Sequence, residues 1–161
     1  MIAIAEPADG AAIARITRAV RVFNPEEVAC VQELWDEYTQ RGEASGYHFL
    51  VAREDNHVFG YACFGPRALA ENVYDFYWLA TDPDAQHRGV GRALMQQVEA
   101  HVAAQNGRLL LIETSATPPY QAARRLYESC GYRYQAVIHD FYAPGDDLLV
   151  YGKTFMPTWT K

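Results

Sequence analysis

Between residues 82 and 94 the chain reads DPDAQHRGVGRAL, with Gly89 and Gly91 set among Gln86, His87, Arg88 and Arg92. Those residue types outline a cradle for an anion. Glycine lets the backbone approach a ligand closely, a helix start offers unpaired N–H groups at the positive end of its dipole, and arginines add fixed charge. A pyrophosphate suits such a place. An isolated Gly-X-Gly is more often a simple turn, so the surroundings must decide. Two rival phosphate sites fit poorly. A dinucleotide-binding turn places its glycines directly after a strand and a third glycine where Leu94 stands, and a P-loop needs a Gly-Lys-Ser or Gly-Lys-Thr ending that is missing here.

A cradle of this kind needs a strand before it and a helix after it. Val73 to Thr81, VYDFYWLAT, is apolar on both faces and predicts a central strand. From Arg92 the residues Leu94, Met95, Val98 and Val102 recur at helical spacing until Asn106 and Gly107 end the run. A strand from Arg108 to Thr114, a helix from Tyr120 to Cys130 stopped by Gly131, and a β region from Tyr132 to Phe155 follow. Upstream, a short strand at Ile2 to Ala5 precedes a helix that Asp9 can cap, with Ile13, Ile16 and Val20 on one face. Asn24, Pro25, Glu26 and Glu27 announce a second helix with a capping residue, a proline at the first position and an acid three residues after the cap. Its stripe is Val28, Val31, Trp35 and Tyr38, read as core, and Gly42 is its stop. Tyr47 to Arg53 and Val58 to Phe64 flank the turn Glu54 to His57 as a hairpin. Strand-helix-strand passages after a hairpin predict a mixed α/β sheet covered by helices.

Composition narrows the class further. The length and the 50% hydrophobic content suit one domain over residues 1–161 with a single well-buried core. With 14 Lys and Arg against 20 Asp and Glu, the net charge of −6 would repel a phosphate backbone, so no nucleic-acid partner is expected. Cys30, Cys63 and Cys130 are odd in number and widely spaced, which points to small buried hydrophobes and to no metal site. The start MIAIAEPADG carries Glu6 and Asp9 where a secretory signal would need an unbroken apolar run, and no stretch reaches a membrane span of ~20 apolar residues. The expectation is a cytoplasmic protein without a membrane partner.

Gln86, His87, Arg88, Gly89, Val90, Gly91, preceded by Thr81, Asp82, Pro83, resembles the glutamine-or-arginine, two residues, glycine, one residue, glycine-or-alanine signature of the GNAT N-acetyltransferases. A second element of that family is similar to Ala123 through Tyr132, where Leu126, Tyr127, Glu128 and then Gly131 and Tyr132 keep its order. The likeness in pattern extends from about Asp9 to Phe155. It implies an α/β GNAT fold: a central mixed, mostly antiparallel sheet of about six or seven strands with about four helices. It also implies acetyl-CoA as co-substrate, in a V-shaped opening between the central strand and its neighbour. Leu79, Ala80 and Thr81 would then meet the pantetheine, and Gln86, His87, Arg88, Gly89, Val90, Gly91 and Arg92 would hold the pyrophosphate. Tyr120 stands where many members carry an asparagine that touches the cofactor, so the sequence departs from the pattern there.

Under that resemblance Tyr127 occupies the place of the general acid, and a phenol of reference pKa ~10 suits protonation of an alkyl thiolate. An alkylamine of pKa ~10.4 is protonated at neutral pH and needs a base, or a water chain leading to one. Asp75, which shares a strand face with Tyr77, and Glu113, at the end of the apolar run 109–112, are both candidates. The turn at Pro144 and Gly145 carries Asp146 and Asp147 beside aromatics, either a receiver for a cationic amine or a solvated hairpin tip. Residues 28–46 and the loop 65–72 are candidate walls of the acceptor pocket. A small-molecule amine is the expected acceptor; a protein lysine or N-terminus, or binding of acetyl-CoA without turnover as a sensor, stay open as alternatives. Phe155 and Trp159 would suit a homodimer contact.

Overall fold

The central apolar strand of the sequence lies in the middle of a seven-stranded mixed sheet in the computed structural model, which describes residues 1–155. The strands are β1 (Ile2–Ile4), β2 (His48–Glu54), β3 (His57–Pro66), β4 (Val73–Thr81), β5 (Leu109–Ser115), β6 (Arg133–Ala143) and β7 (Asp146–Thr154). Their spatial order is β1-β2-β3-β4-β5-β7-β6, and only β4 and β5 run parallel. The helices are α1 (Gly10–Ala19), α2 (Pro25–Arg41), α3 (Val90–Ala104) and α4 (Gln121–Ser129). Parallel neighbours need a crossover, and α3 supplies it between β4 and β5.

Local chemistry accounts for most boundaries. Asn24 caps α2 as expected: its side chain accepts from the Glu27 N–H at 2.8 Å, and the Glu27 carboxylate accepts from the Asn24 N–H at 2.8 Å. Asp9 departs from expectation. It sits at the start of α1, but its carboxylate takes the Glu6 N–H at 2.8 Å and Arg53 at 2.6 Å instead of capping the helix. Helix α3 begins at Val90, earlier than the apolar periodicity suggested, and α4 begins after a short 3₁₀ turn at Pro118–Tyr120. The closing β region is a hairpin that turns at Pro144 and Gly145.

Both faces of the sheet are covered. Leu94, Met95, Val98 and Val102 of α3 pack on Phe64, Phe76, Leu110 and Ile112, and the ring of Tyr127 closes the same cluster. On the other face Ile13, Ile16, Val31 and Trp35 meet Phe49, Val51, Tyr61 and Cys63. Burial of each large side chain contributes about 1.5–3 kcal/mol, so the stripes read from the sequence are the core. Cys30 corrects one expectation: it is exposed, because it falls outside the helical phase that buries Val31 and Trp35.

Two irregularities open the sheet near its middle. Opposite β3, Cys63 pairs with Trp78 and Phe64 with Phe76, so Tyr77 is an extra residue that bulges β4. Pairing of β4 with β5 runs from Val73↔Leu109 to Phe76↔Ile112 and then stops, although β4 continues to Thr81 and β5 to Ser115. The two parallel strands therefore part at the bulge. Among the described residues, no helix is long and apolar enough to cross a membrane.

Candidate active site

The glycine loop ends at the first turn of α3. Gly89 is its N-cap, at φ +77°, a left-handed conformation that glycine adopts without strain. Glycine also brings no side chain to cap with, so the N–H groups of Val90, Gly91 and Arg92 have no intrahelical acceptor. The first bond across the turn is Ala93 N–H to Gly89 C=O at 3.0 Å. A Cβ on Gly91 would stand 3.2 Å from Leu126, 3.8 Å from Thr81 and 3.9 Å from Leu79, which fixes this turn between the end of β4 and α4. The flanking arginines have other partners. Arg88 lies 4.9 Å over the Phe59 ring and 3.9 Å from Glu54. Arg92 reaches the end of α4, donating to the Ser129 hydroxyl at 2.8 Å and its carbonyl at 3.2 Å. The cradle is thus made of backbone amides, with Arg92 strapping α3 to α4. His87, at φ +61°, and Gln86 turn the chain into it. A cleft of about 270 Å³ opens beside Arg88, Gly89 and Val90.

From this turn the gap between β4 and β5 leads inward. Past Phe76 the edge of β4 that faced β5 has no strand partner, so the outward N–H and C=O groups of 77–81 are free to meet a ligand. Leu79 faces the α3 side and Ala80 the opposite side. Tyr127 of α4 is nine-tenths buried, with the rings of Tyr132 and Tyr151 at 6.5 and 6.0 Å. Burial pushes its phenol up to about 12, Arg124 draws it back, and Tyr142 and Tyr151 raise it further. No hydrogen bond to its hydroxyl forms among the described residues. A phenol so placed keeps its proton at neutral pH.

Asp75 and Glu113 are brought together by a residue that the sequence did not single out. Arg67, just after β3, lies 2.8 Å from Asp75 and 3.5 Å from Glu113. Burial raises the Asp75 carboxyl above its ordinary range, Arg67 opposes this, and Glu113 adds to it. Its only early signal was an arginine in the loop proposed as a pocket wall; the hydrogen bond from Arg67 N–H to the Val73 carbonyl at 2.8 Å folds that loop back over Asp75. Tyr77, edge-on to Tyr47 at 5.5 Å, lies on the same side, its phenol pushed up to about 12 by burial and then by Asp75.

A second set of polar groups was missed as a set. The Tyr120 hydroxyl donates to Glu27 at 2.6 Å, so the residue considered for the cofactor has its hydroxyl engaged by α2. Ser115 donates to Asp146 at 2.6 Å. Burial pushes the Tyr142 phenol up to about 12, followed by Glu113, Asp146 and Glu27. The adjacent acids at the hairpin separate: Asp147 turns to His139 and to the Asp140 N–H, both at 2.9 Å, and only Asp146 joins the cluster. Of the expected dimer residues, Phe155 binds Arg108 through its backbone at 2.9 Å, and Trp159 lies outside the described residues.

A family model for the acetyltransferase (GNAT) domain matches residues 45–134, the stretch from just before β2 into β6. The chain belongs to the GNAT acetyltransferase family. As a GNAT protein it is an acyltransferase, and its seven strands and four helices are that family's fold. A GNAT-family protein from Desulfovibrio desulfuricans is similar at 41% identity, over 96% of this chain and 99% of that one, with a TM-score of 0.91. The ribosomal-protein-S18-alanine N-acetyltransferase from Escherichia coli shares the fold at 21% identity, covering 100% and 97% of the two chains, TM-score 0.79. An aminoglycoside 6'-N-acetyltransferase complexed with coenzyme A does so at 14% identity, 98% and 98% coverage and TM-score 0.77. No curated protein matches the chain.

Proposed function

We propose that this GNAT enzyme moves an acetyl group from acetyl-CoA to a primary amine of a small molecule in the cytoplasm. The observation that carries the reading is the parting of β4 from β5, with unpaired helix-start amides at one end and an unpartnered phenol, Tyr127, on α4. The residues fit the co-substrate: a diphosphate matches the amides of Arg88 to Arg92, and an extended amide-bearing arm matches the free edge of 77–81. Bound acetyl-CoA supplies an activated acyl group on a thiol leaving group. The main-chain N–H groups of Leu79 to Thr81 orient that arm and polarise its carbonyl. Tyr127 Oη gives its proton to the departing sulfur. Asp75 and Glu113, both held by Arg67, receive the proton of the incoming ammonium through water; Glu113, the more open of the two, is the readier route to solvent. The aromatic walls at Tyr77, Tyr47, Phe23 and Trp78 keep bulk water from the reacting centre.

The test is a calorimetric titration with acetyl-CoA, on the native protein and on a Gly89→Glu, Gly91→Glu variant. Micromolar binding that vanishes in the variant supports the site; no binding by the native protein refutes it.

A further inference from the structure

Helix α4 has little packing to hold it. Of its nine residues only Tyr127 is buried, with Ala123 and Leu126 partly so, and so short a helix is not stable by itself. Polar ties at its two ends hold it instead. At the start, Arg124 donates to the carbonyls of Ser115 and Thr117 at 2.6 and 2.9 Å, which joins the helix to the end of β5. At the other end, Lys153 of β7 donates to the Cys130 carbonyl at 2.9 Å and to Glu99 of α3 at 2.7 Å. A cation is also what the C-terminal end of a helix favours. The side chains of Lys153 and Glu99 are only 28% and 14% exposed, whereas the Arg92 strap beside them lies in the open.

The carbonyl that Lys153 holds belongs to a turn that Tyr127 begins. The N–H groups of Cys130 and Tyr132 both donate to the Tyr127 carbonyl, at 3.0 and 3.1 Å. Lys153 also lies 5.6 Å over the ring of Tyr132, whose centroid is 6.5 Å from that of Tyr127. Three elements, α3, α4 and β7, thus meet at one ammonium group behind Tyr127.

Stability does not account for this cluster. Glu99 Oε1 and the Tyr132 hydroxyl are buried without a hydrogen bond among the described residues, and buried polar atoms left unpaired cost free energy. Apolar residues of similar volume would join the same elements at least as well. They would lack direction: a hydrogen-bonded ammonium fixes the Cys130 carbonyl to a point, whereas an apolar contact lets the turn slide.

We propose that Lys153, with Glu99, is a positioning residue for acetyl transfer, setting how far the Tyr127 hydroxyl reaches into the gap between β4 and β5. This rests on the acid role given to Tyr127 above. Lys153 and Glu99 act through the Cys130 carbonyl and the turn behind it, not on the reacting atoms. A misplacement of about 1 Å at a reacting group is enough to cost about a hundredfold in rate.

The test replaces the ion pair by an apolar one, Glu99→Leu with Lys153→Met, in the full-length protein. Release of the CoA thiol from saturating acetyl-CoA is followed with n-butylamine, with an alanyl peptide and with water alone as acceptor, since the acid serves the departing sulfur whatever takes the acetyl group. The double variant should keep a Tm near native and a KM for acetyl-CoA within about threefold, while kcat falls at least about tenfold. In a Tyr127→Phe background the same replacement should change kcat by less than about twofold, because the group being placed is gone. If the double variant does not fold, Glu99→Gln, which keeps the shape of the pair and drops its charge, is read in the same two backgrounds; a fall of at least about threefold is expected in the first and none in the second. An equal loss in both backgrounds, or a native kcat in the variant, makes the cluster structural only and overturns the proposal while acetyl transfer stands. A native rate in Tyr127→Phe alone removes the acid role and this one with it. Acetyl-CoA bound by the native protein without any thiol release overturns acetyl transfer as well.

Discussion

Replacing Tyr127 by Phe removes one oxygen from a side chain that is nine-tenths buried and leaves its ring against Tyr132 and Tyr151. The hydroxyl has no hydrogen bond among the described residues to lose, so the usual cost of about 1 kcal/mol for a broken bond does not arise. Stability should change by less than about 0.5 kcal/mol, or about 2 °C in Tm for a chain of this size. Catalysis should respond quite differently. General acid participation contributes about 10²–10⁴-fold, about 3–5 kcal/mol of barrier at 1.36 kcal/mol per decade. Release of the free thiol of CoA, followed with a thiol reagent at a fixed amine concentration, should thus fall at least about a hundredfold in kcat. Calorimetric affinity for acetyl-CoA should stay within about threefold. Burial raises this phenol to about 12, so the protonated, competent form persists at every pH below that value. No alkaline loss of activity near the ordinary phenol range should trace to it. A variant with kcat within threefold of native, or one that loses cofactor affinity in proportion to rate, refutes the acid role.

Asp82 pairs with Arg15, and that hydrogen bond holds its carboxyl below the ordinary range. A depressed folded-state pKa stabilises above the unfolded value, and the benefit is lost as pH falls through the folded one. Asp82→Asn should therefore cost about 1–3 kcal/mol at pH 7, with the gap to native closing in acid; urea unfolding at several pH values checks this, and a constant gap counts against it. Arg92→Ala frees the carbonyl and hydroxyl of Ser129 from the strap across α3 and α4. The pair is exposed, so the expected loss is only about 0.5–1 kcal/mol, seen as a Tm lowered by about 1–4 °C; an unchanged Tm would mean the strap contributes nothing. Arg67→Gln removes the group that opposes the raised pKa of Asp75, so the acid limb of kcat/KM should move to higher pH. A limb that stays put would show that Asp75 is not the group titrating there.

The cofactor half was readable because its signal is local. Gly89 and Gly91, the helix they open and the strand that ends at Thr81 lie within a few residues of one another, so a motif could stand for a geometry. The stripes of α2 and α3 were readable for the same reason: a helix repeats within a turn or two. The acceptor side is built otherwise. Glu27 and Tyr120 meet across 93 residues, and Arg67 joins Asp75 to Glu113 only once β4 and β5 are in register. In the sequence Glu27 had a sufficient explanation as a helix cap, and in the structure it serves as one while its second oxygen holds Tyr120. Nothing in the order of residues announces the second use. The opening between β4 and β5 was expected only through the family resemblance, and the bulge at Tyr77 where the strands part was not, since an extra residue in a strand leaves no mark on composition. Glu27, Tyr142 and Asp146 also lie outside the segment matched by the family model, so membership in the family describes the donor side and says little about what is acetylated.

The extra residue at Tyr77 changes the arithmetic of β4. Before it, Tyr74 and Phe76 turn toward α3; after it, Leu79 does, and Trp78 and Ala80 turn away. Even positions serve one chamber up to the bulge and odd positions serve it afterwards. A single strand can thereby show Asp75 to the acceptor and Leu79 to the donor, a pairing of faces that strict alternation forbids for two odd-numbered residues. Deleting Tyr77 would close the bulge and leave strict alternation, with Leu79 still on the α3 side but with no break in the strand where β4 leaves β5, and with the composition of the strand almost unchanged.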